Sequence, residues 1–275
     1  MAPDIYAKRA GEGAAVILLH GLFGAGGNLG MLARALQEQF AVFSPDLPNH
    51  GRSAWLPTPD LPGMADCLRR WMDAQGVSAA HIVGHSLGGK VAMQLALQCP
   101  TRVRSLIVAD IAPVQYAAHH ELVFEALEAV VAGRCASREE AASLLASYLQ
   151  EEAVIQFLLA SLQRDGEGRM RWRFDLEGIR ACYAALLAAP YTVPQADRSY
   201  LGPVLFIKGG GSDYIREQHW PVIQALFPAA TIKVMPDCGH WLHVEKPQLF
   251  NGIVARFLES PEQGKLAPAG DRSED

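Results

Sequence analysis

Short, predominantly apolar runs that end in turn-forming or polar residues limit most strongly how this chain can fold. Six such runs occur, at 16–19, 41–43, 81–83, 106–109, 204–207 and 232–235. Runs of this length suit strands that are buried on both faces of a parallel sheet. Apolar residues at helical spacing, such as Leu29, Leu32 and Leu36, lie between them. The alternation predicts an α/β fold, with a mostly parallel sheet flanked by helices.

The alternation stops between residues 113 and 198, where the pattern is mostly helical. Ser137 and Glu140 form a capping-box pattern that predicts the start of one of these helices. We therefore predict a core formed by 1–112 and 199–259, interrupted by a helical cap at 113–198 that packs over the carboxyl edge of the sheet. The remaining segment, 260–275, is rich in Pro, Gly and charge and predicts a flexible tail.

The composition excludes several classes of protein. Of the 275 residues, 50% are hydrophobic and 19% charged, which suits a chain that builds its own core. A net charge of −5 argues against a nucleic-acid partner. Five cysteines without a C-x-x-C pair predict free thiols in a reducing compartment. Because 1–13 lacks the apolar core of a signal peptide and the run at 14–19 is too short to cross a bilayer, we expect a cytoplasmic protein without a membrane partner.

The strongest chemical motif is Gly84-His85-Ser86-Leu87-Gly88, which matches G-x-S-x-G. It follows a predicted strand and precedes a helical pattern, the context that a nucleophile elbow requires. Small neighbours let the backbone turn sharply, so that the serine oxygen projects from the sheet. We therefore predict that Ser86 is a catalytic nucleophile and that the backbone N–H of Leu87 binds an oxyanion.

Three motifs together resemble the α/β-hydrolase family: His20-Gly21-Leu22-Phe23-Gly24, the run Asp-Leu-Pro-Asn-His-Gly-Arg-Ser at 46–53, and the elbow. Asp-Ile-Ala-Pro-Val at 110–114 resembles a narrower branch, small serine esterases with a helical cap after the sixth strand. The resemblance covers nearly the whole chain. It implies that Leu22 donates the second oxyanion-hole N–H and that Phe23 belongs to the pocket wall.

A serine nucleophile requires a base, and the sequence offers nine histidines. They are His20, His50, His81, His85, His119, His120, His219, His240 and His243. In α/β-hydrolases the base follows the last strand, and His240 occupies that position in a Gly-His-Trp run that matches the family. The pair His240 and His243 lacks a third ligand, so we predict no metal site.

Two aspartates are candidates for the acid that orients the base. Asp110 ends one predicted strand, and Asp213 follows the three glycines after another. Both therefore lie at carboxyl ends of strands, where α/β proteins build their sites. Most α/β-hydrolases place the acid at the position that Asp213 occupies here. The run at 110–114 resembles enzymes that place it at the position of Asp110. The resemblance therefore favours Asp110 over Asp213.

These residues predict a cofactor-free serine carboxylesterase that acts on a small-molecule ester, as a monomer or a homodimer. Aromatic residues predicted to bind substrate are Phe23, Phe124, Phe157, Trp172 and Trp241. Packing inside the cap is the commoner explanation for its aromatic residues. A thioesterase, a lactonase or a perhydrolase uses the same triad and stays an alternative, as does a non-catalytic ligand-binding protein of this fold.

Overall fold

A seven-stranded sheet forms the centre of the structure, a computed structural model that describes residues 4–190 and 199–259. Its strands are β1 (Ala7–Ala10), β2 (Ala14–Leu19), β3 (Phe40–Pro45), β4 (Ala80–His85), β5 (Val103–Ala109), β8 (Val204–Gly209) and β9 (Ala230–Met235), and a separate hairpin contains β6 (Leu162–Arg164) and β7 (Met170–Trp172). The strand order is β1-β3-β2-β4-β5-β8-β9. Only β1 runs antiparallel to its neighbour. The predicted α/β fold with a mostly parallel sheet is confirmed.

Helices cover both faces of this sheet. The α-helices of the described chain are α1 (Gly30–Leu36), α2 (Leu61–Ala74), α3 (Leu87–Gln98), α4 (Glu121–Ala132), α5 (Arg138–Ala146), α6 (Glu152–Ala160), α7 (Leu176–Ala181), α8 (Tyr183–Leu187), α9 (Trp220–Leu226), α10 (Leu242–Glu245) and α11 (Pro247–Glu259). Apolar residues of α1 and α11 pack with one face of the strands, and those of α2, α3 and α9 pack with the other. The strands are apolar on both faces because both faces are covered.

The segment between β5 and β8, here called the insertion, contains α4 to α8 and the β6–β7 hairpin. It contacts the loops that follow β2 and β3: the Ser161 hydroxyl donates to the Phe23 carbonyl over 2.7 Å, and the Asp175 N–H donates to the Asn49 carbonyl over 2.9 Å. These loops leave the carboxyl ends of their strands. The insertion therefore lies at the edge of the sheet where the predicted site residues gather.

The insertion follows the fifth strand of the described chain, one strand earlier than the resemblance implied. The expectation numbered the strands as the family does. In the described chain, a single antiparallel strand, β1, precedes β2. Residues 191–198, at the end of the predicted cap, and the predicted tail at 260–275 lie outside the described residues. Within the described ranges, no helix is both long and apolar enough to cross a membrane.

Candidate active site

Ser86 lies at the sharp turn between β4 and α3, with φ 52° and ψ −118°. This conformation is strained for a residue with a side chain. Two glycines allow it: a Cβ on Gly84 would lie 2.3 Å from the Gly88 carbonyl oxygen, and one on Gly88 would lie 2.3 Å from the Leu19 carbonyl oxygen. The backbone N–H of Ser86 donates to the Ala109 carbonyl, which ties the turn to the neighbouring strand.

The two residues predicted to form the oxyanion hole lie beside Ser86. Leu22, Ser86 and Leu87 line the same cavity of about 30 Å³. Leu87 is the first residue of α3, so its N–H has no acceptor within the helix. Among the described residues, no backbone acceptor is present for the Leu22 N–H. Both predicted donors are therefore free for a ligand at the cavity.

Asp110 pairs with His240, and the predicted alternative Asp213 does not. The Asp110 Oδ2 atom lies 2.8 Å from His240 Nδ1, and the carboxylate has no exposed surface. The same carboxylate accepts from the Gly209 N–H over 2.9 Å and from the Ser212 hydroxyl. Asp213 instead leaves 88% of its side chain exposed, beside Arg216. Because an ionised carboxylate only accepts, the His240 Nδ1 atom donates this hydrogen bond, and Nε2 is the nitrogen that faces away from Asp110.

Hydrogen bonds on both sides fix the loop that carries His240. The Glu245 carboxylate accepts from the Gly239 N–H over 2.7 Å and from the Trp241 N–H over 3.0 Å. The Nε2 atom of His85, the residue before Ser86, lies 2.8 Å from the His240 carbonyl oxygen. Tyr214, which lines the Ser86 cavity, stacks on the His240 ring with the centroids 4.0 Å apart. The backbone of the loop is therefore tied to His85 of the elbow, and Tyr214 covers one face of the His240 ring.

The five aromatic residues predicted to bind substrate fall into two groups. Phe23, Phe124 and Trp172 are 3%, 1% and 6% exposed and pack inside the hydrophobic core. Phe157 and Trp241 are partly exposed and lie against each other, with ring centroids 4.4 Å apart. The cavity beside Ser86 is lined by other side chains from the insertion and from the loop after β8, among them Tyr116, His119, His120, Tyr183, Leu186 and Tyr214.

Lys90 is an unexpected charged group in this cavity wall. The side chain is 2% exposed, and burial lowers the pKa of its ammonium group to about 7. Its Nζ donates to the carbonyls of Val114, Leu187 and Ala188 over 2.6 to 2.9 Å. Two of these carbonyls lie at the end of α8, where cations are favoured. Lys90 therefore ties the insertion to α3, one turn from Ser86.

Several residues that shape the site were not predicted from the sequence, namely Ser212, Tyr214, Glu245 and Lys90. Lys90 had a usable signal, because it is a charged residue within a helix whose other faces are apolar. Ser212 and Tyr214 lie in the loop after β8, and Glu245 ends the four-residue helix α10, so no periodic pattern marks their side chains. Among the described residues, no cluster of three or more His, Cys, Asp or Glu could hold a metal ion.

Comparison with known proteins agrees with this architecture. The model of the alpha/beta hydrolase family matches residues 16–253, so the chain belongs to this family. The esterase YbfF of Escherichia coli is 38% identical over 244 residues, which are 88% of this chain and 92% of that protein. The mouse sn-1-specific diacylglycerol lipase ABHD11 is 38% identical over 252 residues, which are 89% of this chain and 80% of that protein.

A solved structure described as a marine microorganism esterase is also similar. It shares 32% identity with this chain, and the alignment covers 93% of this chain and 99% of that one, with a TM-score of 0.88. The similarity therefore extends through the insertion as well as the sheet.

Proposed function

We propose that this protein is a serine carboxylesterase that hydrolyses short- to medium-chain esters through an acyl-enzyme on Ser86. The observation that carries the proposal is the 2.8 Å contact between His240 and the fully buried Asp110, in a loop bonded to the residue preceding Ser86. The relatives described above as an esterase and a lipase support ester bonds as the substrate class. The five free thiols support a reducing compartment such as the cytoplasm.

The proposed reaction has two halves. The Ser86 oxygen attacks the ester carbonyl carbon while its proton passes to His240 Nε2, and the N–H groups of Leu22 and Leu87 bind the oxyanion. The tetrahedral intermediate then expels the alkoxide, which takes the proton from His240 and leaves as the alcohol. Water attacks the acyl-enzyme, gives one proton to His240, and releases the carboxylic acid as Ser86 recovers its proton. Asp110 stabilises the imidazolium in both halves.

Covalent labelling tests this proposal. A fluorophosphonate should react stoichiometrically with the native enzyme, and peptide mass spectrometry should place the added mass on Ser86. Hydrolysis of p-nitrophenyl butyrate should fall in proportion to the labelled fraction. Labelling of another residue, or full labelling with retained activity, would contradict the proposal, and the absence of both labelling and hydrolysis would favour the non-catalytic ligand-binding alternative.

Exchanging the two candidate acids for asparagine should separate them. Asparagine keeps the shape of Asp110 but presents an amide to His240 Nδ1, so the wrong tautomer is favoured. We expect Asp110→Asn to lose about 10²- to 10⁴-fold in kcat, and Asp213→Asn to stay within about tenfold of the wild type. Matched melting curves must show that both variants are folded. An inactive Asp213→Asn variant beside an active Asp110→Asn variant would reverse the assignment.

The small cavity beside Ser86 predicts a preference for short acyl chains. Its volume of about 30 Å³ holds about two water molecules, so a long acyl chain extends beyond it. We expect kcat/KM for p-nitrophenyl acetate and butyrate to exceed that for the palmitate by about tenfold or more, without activation by a lipid interface. Preference for long-chain emulsions would instead align the protein with the lipases among its relatives.

A pair of leucine variants controls the chain-length test. Leu186 lines the cavity, and Leu145 is equally buried in the insertion but is not part of the lining. Leu186→Ala should therefore raise activity on octanoate relative to acetate, whereas Leu145→Ala should leave that ratio unchanged. An unchanged ratio in Leu186→Ala would show that the acyl chain binds elsewhere.

A further inference from the structure

Two loops cross-link each other beside the predicted oxyanion hole. The first, here called the oxyanion loop, comprises residues 20–26 and contains Leu22. The second, here called the brace loop, comprises residues 46–53 and follows β3. The backbone N–H of Leu47 in the brace loop donates to His20 Nε2 over 2.9 Å. The N–H of Phe23 in the oxyanion loop donates to His50 Nε2 over 3.2 Å. Each loop thus provides one histidine that accepts a backbone hydrogen bond from the other.

Both histidines use their second nitrogen as well. His20 Nδ1 lies 2.8 Å from the Gly21 carbonyl oxygen, and His50 Nδ1 lies 2.9 Å from the Pro48 carbonyl oxygen. A neutral imidazole has one donor and one acceptor nitrogen, which is what this pairing requires. Burial lowers the pKa of His20 to about 4 and that of His50 to about 3, so both rings are neutral at pH 7.

The oxyanion loop needs such support because its backbone is strained. Phe23 has a φ of 62°, in the left-handed region that a bulky residue rarely adopts. Such a conformation is stable only where several contacts with surrounding residues hold the backbone in place. Besides the bond to His50, the Phe23 carbonyl accepts from Ser161 in the insertion, and the Gly26 N–H donates to Asp46 in the brace loop over 2.7 Å. Leu22 immediately precedes the strained residue.

We propose that His20 and His50 are positioning residues that hold the oxyanion loop so that the Leu22 N–H faces the developing oxyanion. This inference rests on the proposed function and extends it to two side chains that do not touch the substrate. Their contribution acts through the backbone, so it should affect the transition state and leave ground-state binding unchanged.

Side-chain amides provide the test, because the amide group of glutamine reaches about as far as Nε2, whereas that of asparagine reaches only as far as Nδ1. His50→Asn therefore leaves the Phe23 N–H without an acceptor, and His50→Gln restores one. We expect His50→Asn to lower kcat on p-nitrophenyl butyrate about 10- to 100-fold, with KM within about threefold. A trifluoromethyl ketone, whose adduct with Ser86 carries an oxyanion, should bind more weakly by the same factor. His50→Gln should retain kcat within about threefold.

At His20, too, the asparagine variant should have a lower kcat than the glutamine variant, since His20 accepts the reciprocal hydrogen bond from the brace loop. His81→Asn is the matched control: His81 is 8% exposed and bonds to Ser105 over 2.7 Å, but it contacts neither loop. It should keep the wild-type kcat. Equal losses in the asparagine and glutamine variants, or wild-type kcat in a folded His50→Asn enzyme, would overturn the inference.

Ser161→Ala keeps the test decisive if His50→Asn does not fold. This change removes only the bond to the Phe23 carbonyl and should lower kcat about 3- to 10-fold at constant KM. An unchanged kcat in Ser161→Ala would then count against the inference. Labelling of Ser86 in the wild-type enzyme is unaffected by any of these outcomes, so failure of the inference is distinguishable from failure of the proposed function.

Discussion

Ser86→Ala protein should fold like the wild type and lose ester hydrolysis by about 10⁴-fold or more, because no acyl-enzyme can form. The residual rate would come from the oxyanion donors and from substrate binding alone. Single-turnover and steady-state assays on p-nitrophenyl butyrate provide the measurement, with melting curves to compare the folds. Ser143→Ala, an exposed serine of α5, is the control and should keep full activity. Wild-type turnover in folded Ser86→Ala would refute the serine mechanism.

The backbone of Ser86 adds a second expectation to this experiment. Glycine has no Cβ and tolerates a φ of 52° without strain. Ser86→Gly should therefore be as inactive as Ser86→Ala but more stable, by about 1 kcal/mol. A lower Tm for the glycine variant than for the alanine variant would show that the turn is not strained in solution.

Acid should unfold this protein at about pH 5, because several histidines are buried in the neutral form. Burial lowers the pKa of His20 and His243 to about 4, that of His50 and His120 to about 3, and that of His85 well below its ordinary value. The unfolded chain binds protons at these histidines below a pH of about 6.5, and the native state does not. The free energy of unfolding therefore falls as the pH falls from about 6.5 toward 4.

The expected size of this effect is large. Each of the four histidines with a pKa of about 3 or 4 costs about 2 kcal/mol at pH 5, so together they cost about 8 kcal/mol, comparable with the whole stability of a domain. Circular dichroism at constant temperature across pH 4 to 8 measures it. His243→Leu is a useful variant because the His243 Nδ1 atom is buried and has no hydrogen-bond partner in the described chain. Its gain in stability over the wild type should be about 2 kcal/mol larger at pH 5 than at pH 7. A Tm that does not change with pH over this range would contradict the explanation.

Most of the sheet was predictable because its strands are buried on both faces and therefore read as apolar runs. β1 was not predicted, since Ala7-Lys8-Arg9-Ala10 contains no apolar run, and it adds to its backbone pairing with β3 only the packing of Ala7 and the Arg9 guanidinium over the Phe43 ring. A strand at the edge of a sheet pairs with one neighbour and buries little apolar surface. Its position is therefore not marked by an apolar run in the sequence.

The functional site was predictable to the extent that its signals are local. The elbow around Ser86 is one contiguous motif, and the turn geometry agrees with it. The choice between Asp110 and Asp213 depends on which loop approaches His240, a contact across 130 positions, and only the resemblance of residues 110–114 to a narrower branch favoured Asp110. The aromatic residues show the same limit, since Phe124 in the core and Phe157 at a partly exposed position have the same apolar character in the sequence.

The place of the insertion also affects how the protein matures during synthesis. β5 ends at Ala109, and its partner β8 begins at Val204, so the ribosome makes the whole insertion before the two strands can pair. The proposed nucleophile and acid lie before this gap, and His240 lies after it. A nascent chain therefore carries Ser86 without a base until its last strand has emerged. Such long-range pairing folds slowly. Under the proposed mechanism, a chain that ends before His240 has no base and should not hydrolyse esters.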